Sequence, residues 1–94
     1  MVRKSYSYSY SDLAAGASLS ITGNQLGMSR PTGYYPVGIY NLSTGSVYVA
    51  LAGYNLLATS GAALTIVNNS SASRSGSVTF GIVYVNMSNV PIVS

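Results

Sequence analysis

Residues 77–85 read Ser-Val-Thr-Phe-Gly-Ile-Val-Tyr-Val, and this stretch decides the fold class of the chain. Successive side chains of a β-strand point to opposite faces, so Val78, Phe80, Ile82 and Tyr84 share one face. The residues between them form the opposite stripe. The stretch therefore predicts a strand with one continuous apolar face.

Five segments upstream also have strand patterns, and turn signals separate them. They lie at residues 5–11, 17–22, 35–42, 47–52 and 62–68, and a short strand around Ile92 is a further candidate. No segment has convincing helical periodicity. We predict an all-β fold, a small antiparallel β-sandwich that is jelly-roll-like, with about six to seven strands. A single domain should span residues 1–94, with its core at residues 5–85 and a C-terminal extension at residues 86–94.

Two of these segments predict particular surroundings. Pro36 and Gly38 interrupt residues 35–42, which favours an edge position, a bulge or a close backbone approach. Residues 47–52 are apolar on both faces, so we expect a second layer or another subunit to cover them.

The connections between the strands carry turn residues. Asp12 is placed to accept backbone hydrogen bonds in a short turn, and Gly45 suits the positive φ of a hairpin turn. Residues 23–33 read as a long loop. Residues 69–76 are serine-rich and contain Arg74, so we expect them to form the most solvated and mobile loop.

Tyr6, Tyr8 and Tyr10 alternate with serines, which places three rings on one face of the first strand. One interpretation is a face that packs on the core or on a neighbouring subunit, because tyrosine favours half-buried sheets and interfaces. The other is an aromatic platform for sugars or bases. We favour packing, and we treat these three residues together with Tyr48 and Tyr54 as candidate interface residues.

Charged residues are rare in this chain. Asp12 is the only carboxylate, and the cations are Arg3, Lys4, Arg30 and Arg74. They make up 5% of the residues while 48% are hydrophobic, whereas about a quarter of a typical soluble domain is charged. An isolated monomer would have little charge to keep it in solution, so we expect a chain that lives in a symmetric assembly.

The small number of titratable residues also argues against catalysis and metal binding. Histidine and cysteine are absent, and acid–base catalysis needs two titratable groups. Zinc needs Cys, His or several carboxylates, and calcium needs clustered acids. A nucleophile activated by Lys4 would lie near a terminus, where a fixed geometry is hard to hold. We predict no enzymatic activity, no metal and no cofactor.

The net charge of +3 does not predict a nucleic-acid partner, because only Arg3 and Lys4 are adjacent and such proteins cluster their cations on one face. No apolar run approaches the roughly 18 residues of a membrane span. Ser-Tyr alternation follows the N-terminal cations, in place of the apolar stretch of a signal peptide. We expect no membrane partner and synthesis in a cytoplasm.

Residues 33–39 read Gly-Tyr-Tyr-Pro-Val-Gly-Ile, and residues 64–69 read Leu-Thr-Ile-Val-Asn-Asn. Together with the strand at residues 77–85, this pattern resembles small β-sandwich modules in virion structural proteins of tailed bacteriophages and prophages. The resemblance covers residues 5–85 and rests on Gly-Tyr-x-Pro-x-Gly and on strand spacing. It carries no functional residues over to this chain.

The resemblance implies a homotrimer in a virion, made in the cytoplasm of the host bacterium. Because the chain begins with its own Met1 and has no fibre shaft, we expect a capsid decoration, cement or head-fibre protein that contacts other virion proteins such as the major capsid protein. The alternative is a tail-fibre or baseplate module that binds a receptor or a host-surface glycan. Tyr34, Tyr35 and Tyr54 are the candidate ligand-binding residues of that alternative.

Overall fold

The computed structural model of the chain describes residues 1–86, which form six strands and one short helix. These elements are β1 (Val2–Leu13), β2 (Ser18–Thr22), α1 (Gly23–Leu26), β3 (Tyr34–Ser43), β4 (Val49–Tyr54), β5 (Ala62–Asn68) and β6 (Arg74–Asn86). The predicted strand around Ile92 lies outside the described residues.

The strands form two antiparallel three-stranded sheets. Sheet A has the order β1-β6-β3, and sheet B has the order β2-β5-β4. The predicted all-β class is confirmed. The Cα trace extends over 50 × 21 × 20 Å, because β1 and β6 have 12 and 13 residues and a strand rises about 3.3 Å per residue.

One apolar core joins the two sheets. The predicted stripe of β6 is confirmed, since its four side chains are buried, and Leu64 and Ile66 of β5 face them with no exposed area. The cluster of buried residues comprises Tyr10, Leu13, Ile21, Leu26, Val49, Ala63, Leu64, Ile66, Val78, Phe80, Ile82 and Tyr84. Because both sheets contribute to this single core, the arrangement is sandwich-like.

The expectation for Pro36 and Gly38 is confirmed. β3 lies at the edge of sheet A, and its register against β6 shifts between these two residues. Proline cannot donate to a ladder, so it is tolerated at an edge. A second shift lies between Tyr40 and Ser43, where Asn41 has a φ of 51°.

The structure differs from the sequence prediction in three places. Residues 23–33 begin with α1, where Thr22 and Gln25 form a capping box that compensates for the weak helical pattern. Arg74 is the first residue of β6, not part of a loop, because it pairs with Leu13 of β1. Asp12 lies on a bulge within β1 and not in a turn. In β4, Val49 is buried while Ala50 and Ala52 are exposed, so this chain covers one face of the strand, and cover of the other face by another subunit stays a prediction.

Three connections between the sheets meet at one end of the molecule, which we call the arch end: residues 14–17, 44–48 and 69–73. The backbone of Asn68 donates to the carbonyl of Ala17 at 2.9 Å and accepts from Gly16 at 2.8 Å. The amide of Asn69 donates to the carbonyl of Tyr48 at 2.9 Å. The end of β5 therefore holds the other two arches together.

Candidate functional site

Side chains that could carry out chemistry are few in the described chain. Within residues 1–86, no group of His, Cys, Asp or Glu is arranged to hold a metal ion. Asp12 lies on an exposed bulge of β1 with a φ of 52°, and its backbone amide donates to Ser75 Oγ at 2.9 Å. No helix in this part of the chain is long and apolar enough to cross a membrane.

The tyrosine stripe of β1 lies on the inner face of sheet A. Tyr10 is only 3% exposed, and its hydroxyl donates to the carbonyl of Thr44 at 2.7 Å. Tyr6 and Tyr8 are half-buried against the core, and the ring centroid of Tyr6 lies 5.7 Å from that of Phe80. The three rings therefore pack within the protomer, and Tyr10 in particular has almost no surface left for a partner.

The hydroxyl groups of Tyr6 and Tyr84 lie 3.1 Å apart. Burial raises the pKa of the Tyr84 phenol strongly. The hydrogen bond and the electrostatic interaction with Tyr6 raise this pKa further, and the positive charge of Arg30 lowers it slightly. Burial also raises the pKa of Tyr10. Both phenols are thus held neutral and serve as hydrogen-bonding core residues.

Tyr48 lies on the surface of the arch end, with 47% of its side chain exposed. The guanidinium carbon of Arg74 lies 3.9 Å from the centroid of its ring, and the Nε of Arg74 donates to Ser70 Oγ at 3.0 Å. This contact is a cation–π stack. It places the ring of Tyr48 against Arg74, next to the exposed Val47.

The remaining tyrosine candidates lie away from the arch end. Tyr54, at the end of β4, is 58% exposed, and Tyr35 is 39% exposed with the guanidinium of Arg30 at 5.8 Å from its ring centroid. Tyr34 is half-buried against the core. The structure therefore separates Tyr48 from Tyr54 along β4, and it leaves Tyr35 and Tyr54 available at the surface.

A cleft of about 410 Å³ opens between the segment after α1 and the connection from β4 to β5. Its lining includes Met28, Arg30, Leu56, Leu57 and Tyr84. Tyr34, Tyr35 and Tyr54 do not line it. The three residues predicted for a ligand site thus do not converge on this cavity.

The outer face of each sheet carries a pair of hydroxyl side chains on neighbouring strands. On sheet A, Ser9 Oγ and Ser77 Oγ lie 3.1 Å apart, and on sheet B, Ser20 Oγ lies 3.3 Å from Thr65 Oγ1. Such hydroxyl pairs stabilise neighbouring strands modestly. Arg3 and Tyr40 also lie on the outer face of sheet A, with the guanidinium carbon of Arg3 at 5.8 Å from the ring centroid of Tyr40.

The edge strands differ in how regularly they pair with their neighbours. The strand pattern of the sequence did not predict that β1 would be a regular edge strand. β1 pairs with β6 without interruption from Val2 to Tyr10, whereas β3 has two register shifts and β4 has one, between Leu51 and Gly53. A strand pattern shows which faces are buried, but it does not show which strand has only one neighbour. The absence of proline and glycine from residues 2–13 was the available signal.

No protein-family model, curated protein or solved structure gives a significant match to this chain.

Proposed function

We propose that this chain is a non-enzymatic structural protein that works by associating with copies of itself and with other proteins of a larger particle. The observation that carries the proposal is the nature of the surface. Eight large hydrophobic side chains are exposed among residues 1–86, on a chain with only five charged ones. The eight are Met1, Tyr35, Val37, Leu42, Val47, Tyr48, Tyr54 and Leu57.

Burial of these side chains would drive the association. Each square ångström of apolar surface removed from water contributes about 25 cal/mol, and on a chain with five charged residues little desolvation of charge opposes that burial. Tyr48 and Tyr54 are the predicted interface residues with the most surface to offer. Tyr6 and Tyr8 have less, since they pack against the core.

The particle we propose is a virion of a tailed bacteriophage, as the resemblance to virion modules implies. In that setting the protein would be a capsid decoration, cement or head-fibre protein bound to the major capsid protein, and a jelly-roll-like homotrimer would be its closed form. The argument for the setting rests on the sequence resemblance, and the argument for association rests on the surface.

The native mass of the purified protein tests the association, and co-sedimentation with heads or tails of purified particles tests the setting. We expect an oligomer whose dissociation depends weakly on salt, because few ionic contacts are available. A monomer at all concentrations would refute self-association. Absence from purified particles would refute the virion setting alone.

A second candidate function is binding of a host-surface glycan or receptor by a tail-fibre or baseplate module. The observation that favours it is the pairing of exposed Tyr35 with Arg30, which presents an aromatic ring beside a cation. Binding to intact host cells or to a glycan array should then weaken in Tyr35→Ala and Tyr54→Ala. No binding in either assay would leave the structural role as the better account.

A further inference from the structure

The outer edge of β1 has no strand partner within residues 1–86. β1 lies at the edge of sheet A, and β6 is the only strand in the described chain to which it is hydrogen-bonded. A long, regular edge is a template for another strand, and proteins usually interrupt it with proline, a bulge or a charge. From Ser5 to Tyr10, β1 has none of these.

Residues 4–12 read Lys-Ser-Tyr-Ser-Tyr-Ser-Tyr-Ser-Asp. The sequence is symmetric about Tyr8: serines and tyrosines occupy equivalent positions on both sides, and the two ends carry opposite charges. In an antiparallel pair of two such strands, Tyr8 would lie opposite Tyr8 of the second copy. At the two ends Lys4 would approach Asp12 of the second copy, which lies on the bulge beyond Tyr10, and this pair would occur twice.

We propose that two copies of this chain pair their β1 edges antiparallel about a two-fold axis at Tyr8. This proposal rests on the self-association proposed above and identifies the surface that carries it. The two copies of sheet A then form one continuous six-stranded sheet, with the order β3-β6-β1-β1-β6-β3. The serines stay on its outer face and the tyrosines on its inner face.

Charge selects this arrangement over its alternatives. A parallel pair would place Arg3 and Lys4 beside their own copies, and like charges across a strand pair are unfavourable. A register shift of one residue would turn every tyrosine against a serine. A shift of two residues would keep the faces but separate Lys4 from Asp12. Charge pairs of this kind determine register and specificity more than affinity.

Both ends of the charge pair are accessible. Asp12 is exposed, and it forms no ion pair within residues 1–86. The Nζ of Lys4 donates to the carbonyl of Ser29 at 3.3 Å, and an ammonium group has two further protons to donate. Because Asp12 lies on a bulge beyond the regular ladder, the proposed ion pair depends on the long side chain of Lys4 extending past the last regular pair.

The other edge of sheet A explains why pairing would stop at two copies. β3 carries Pro36 and two register shifts, so it offers no matching edge for a third sheet. A two-fold contact uses the same surface on both partners and closes on itself. The proposal therefore predicts an even number of copies, in place of the three that the resemblance implies.

Single cysteines test the register, because the chain has none of its own. We expect an equimolar mixture of the Ser7→Cys and Ser9→Cys proteins, mixed under conditions that allow exchange of copies and then oxidised, to form a disulfide-linked dimer. Either protein alone should form roughly tenfold less, because opposite positions lie about 5 Å apart and diagonal ones about 7–8 Å. Both serines are exposed, so neither change disturbs the core.

The charge reversal Lys4→Glu tests the direction of pairing. It places a carboxylate opposite Asp12 at both ends of the strand pair, so we expect dissociation at least about tenfold easier than for the unmodified protein. The double variant Lys4→Glu/Asp12→Lys keeps the net charge and restores opposite charges at both ends, so it should form the dimer again.

Two results would overturn the inference. In the first, the oligomer forms normally, but the mixed cysteine proteins form no more disulfide-linked dimer than either protein alone. That result would place the interface elsewhere and leave the proposed function standing. Stronger association of Lys4→Glu than of the unmodified protein would mean that Lys4 keeps β1 edges apart. A monomeric unmodified protein would instead refute self-association itself.

Discussion

The side-chain amide of Asn68 donates a 2.8 Å hydrogen bond to the carbonyl of Leu13, a residue that lies 55 positions earlier in the chain. The same nitrogen donates to the carbonyls of Ala14 and Ala72 at 3.3 and 2.8 Å. Its oxygen accepts from the amide and the hydroxyl of Ser70. Asn68 has no exposed area, so this one side chain satisfies the buried polar groups where two arches meet.

Replacing Asn68 by alanine should lower the free energy of unfolding by about 2–4 kcal/mol, because buried carbonyls would lose their donors. Asn68→Asp should also destabilise, since a carboxylate cannot donate to those carbonyls. Chemical denaturation measures both. Asn69→Ala is the control, because that side chain is exposed and its backbone amide is retained. Equal losses of stability in Asn68→Ala and Asn69→Ala would show that the hydrogen bonds of the Asn68 side chain do not stabilise the two arches.

Stability should fall at alkaline pH because of Tyr84 and Tyr10, whose pKa values are raised by burial. Above pH about 10 the unfolded chain loses phenolic protons that the folded chain keeps. The unfolded state then binds fewer protons, so the free energy of unfolding decreases as the pH rises, by at most about 1.4 kcal/mol per pH unit for each such group. Below pH about 10 this contribution is fully present.

Tyr84→Phe removes one of the two phenols, so the free energy of unfolding should fall less steeply with pH, with about one proton fewer released on unfolding. The variant also loses the 3.1 Å contact with Tyr6. Denaturation curves recorded from about pH 9 to about pH 11.5 give the slope. Tyr54→Phe is the matched control, because that ring is exposed. An unchanged slope in Tyr84→Phe would show that the phenol of Tyr84 ionises in the folded state.

Gly45 and Gly16 have similar positive φ angles, 77° and 73°, but different surroundings. A Cβ atom at Gly45 would lie 2.6 Å from the carbonyl oxygen of Ser77, whereas one at Gly16 would meet nothing within 4 Å. Gly16→Ala should therefore cost about 1–2 kcal/mol from backbone strain, and Gly45→Ala about 3 kcal/mol or more. Similar costs by thermal denaturation would mean that the arch at residues 44–48 can move away from β6.

The stack of Arg74 on Tyr48 should survive Tyr48→Phe and be lost in Tyr48→Ala. A cation–π contact at an exposed site contributes about 0.5–1 kcal/mol, so Tyr48→Ala should lower the free energy of unfolding by about that amount. If Tyr48 is also an interface residue, Tyr48→Ala should weaken the oligomer beyond this effect, as native mass measured over a dilution series would show. Normal association of Tyr48→Ala would remove Tyr48 from the interface.

The alternation of Val78, Phe80, Ile82 and Tyr84 predicted the buried face of β6, because period-two patterns report which side chains share a face. Pro36 and Gly38 predicted an edge position, a bulge or a close backbone approach, and one reason is local, the missing amide hydrogen of Pro36. Asn68 gave no such signal, since its role comes from Leu13 and Ala72, which are brought to it only by the fold. Ala50 and Ala52 are apolar yet small enough to remain at a surface, so the second layer expected over their face of β4 is absent from this chain, and cover by another subunit stays a prediction.

The same limit applies to the candidate site. The tyrosine stripe of β1 was recognised from its spacing, but the placement of Tyr10 in the core depends on the carbonyl of Thr44, which lies on a distant arch. The stack between Arg74 and Tyr48 depends likewise on two arches that meet. Which residues remain at the surface is a property of tertiary packing, and alternation alone does not contain it.

The central position of β6 in sheet A has a consequence for synthesis on the ribosome. β1 and β3 both hydrogen-bond to β6, and β6 is the last described strand to be made. Until residue 86 has left the exit tunnel, both earlier strands lack their partner, so non-local pairing must come last and folding should be slow. The Ser-Tyr segment is therefore exposed on every nascent chain, and neighbouring ribosomes on one messenger would hold such segments at high local concentration.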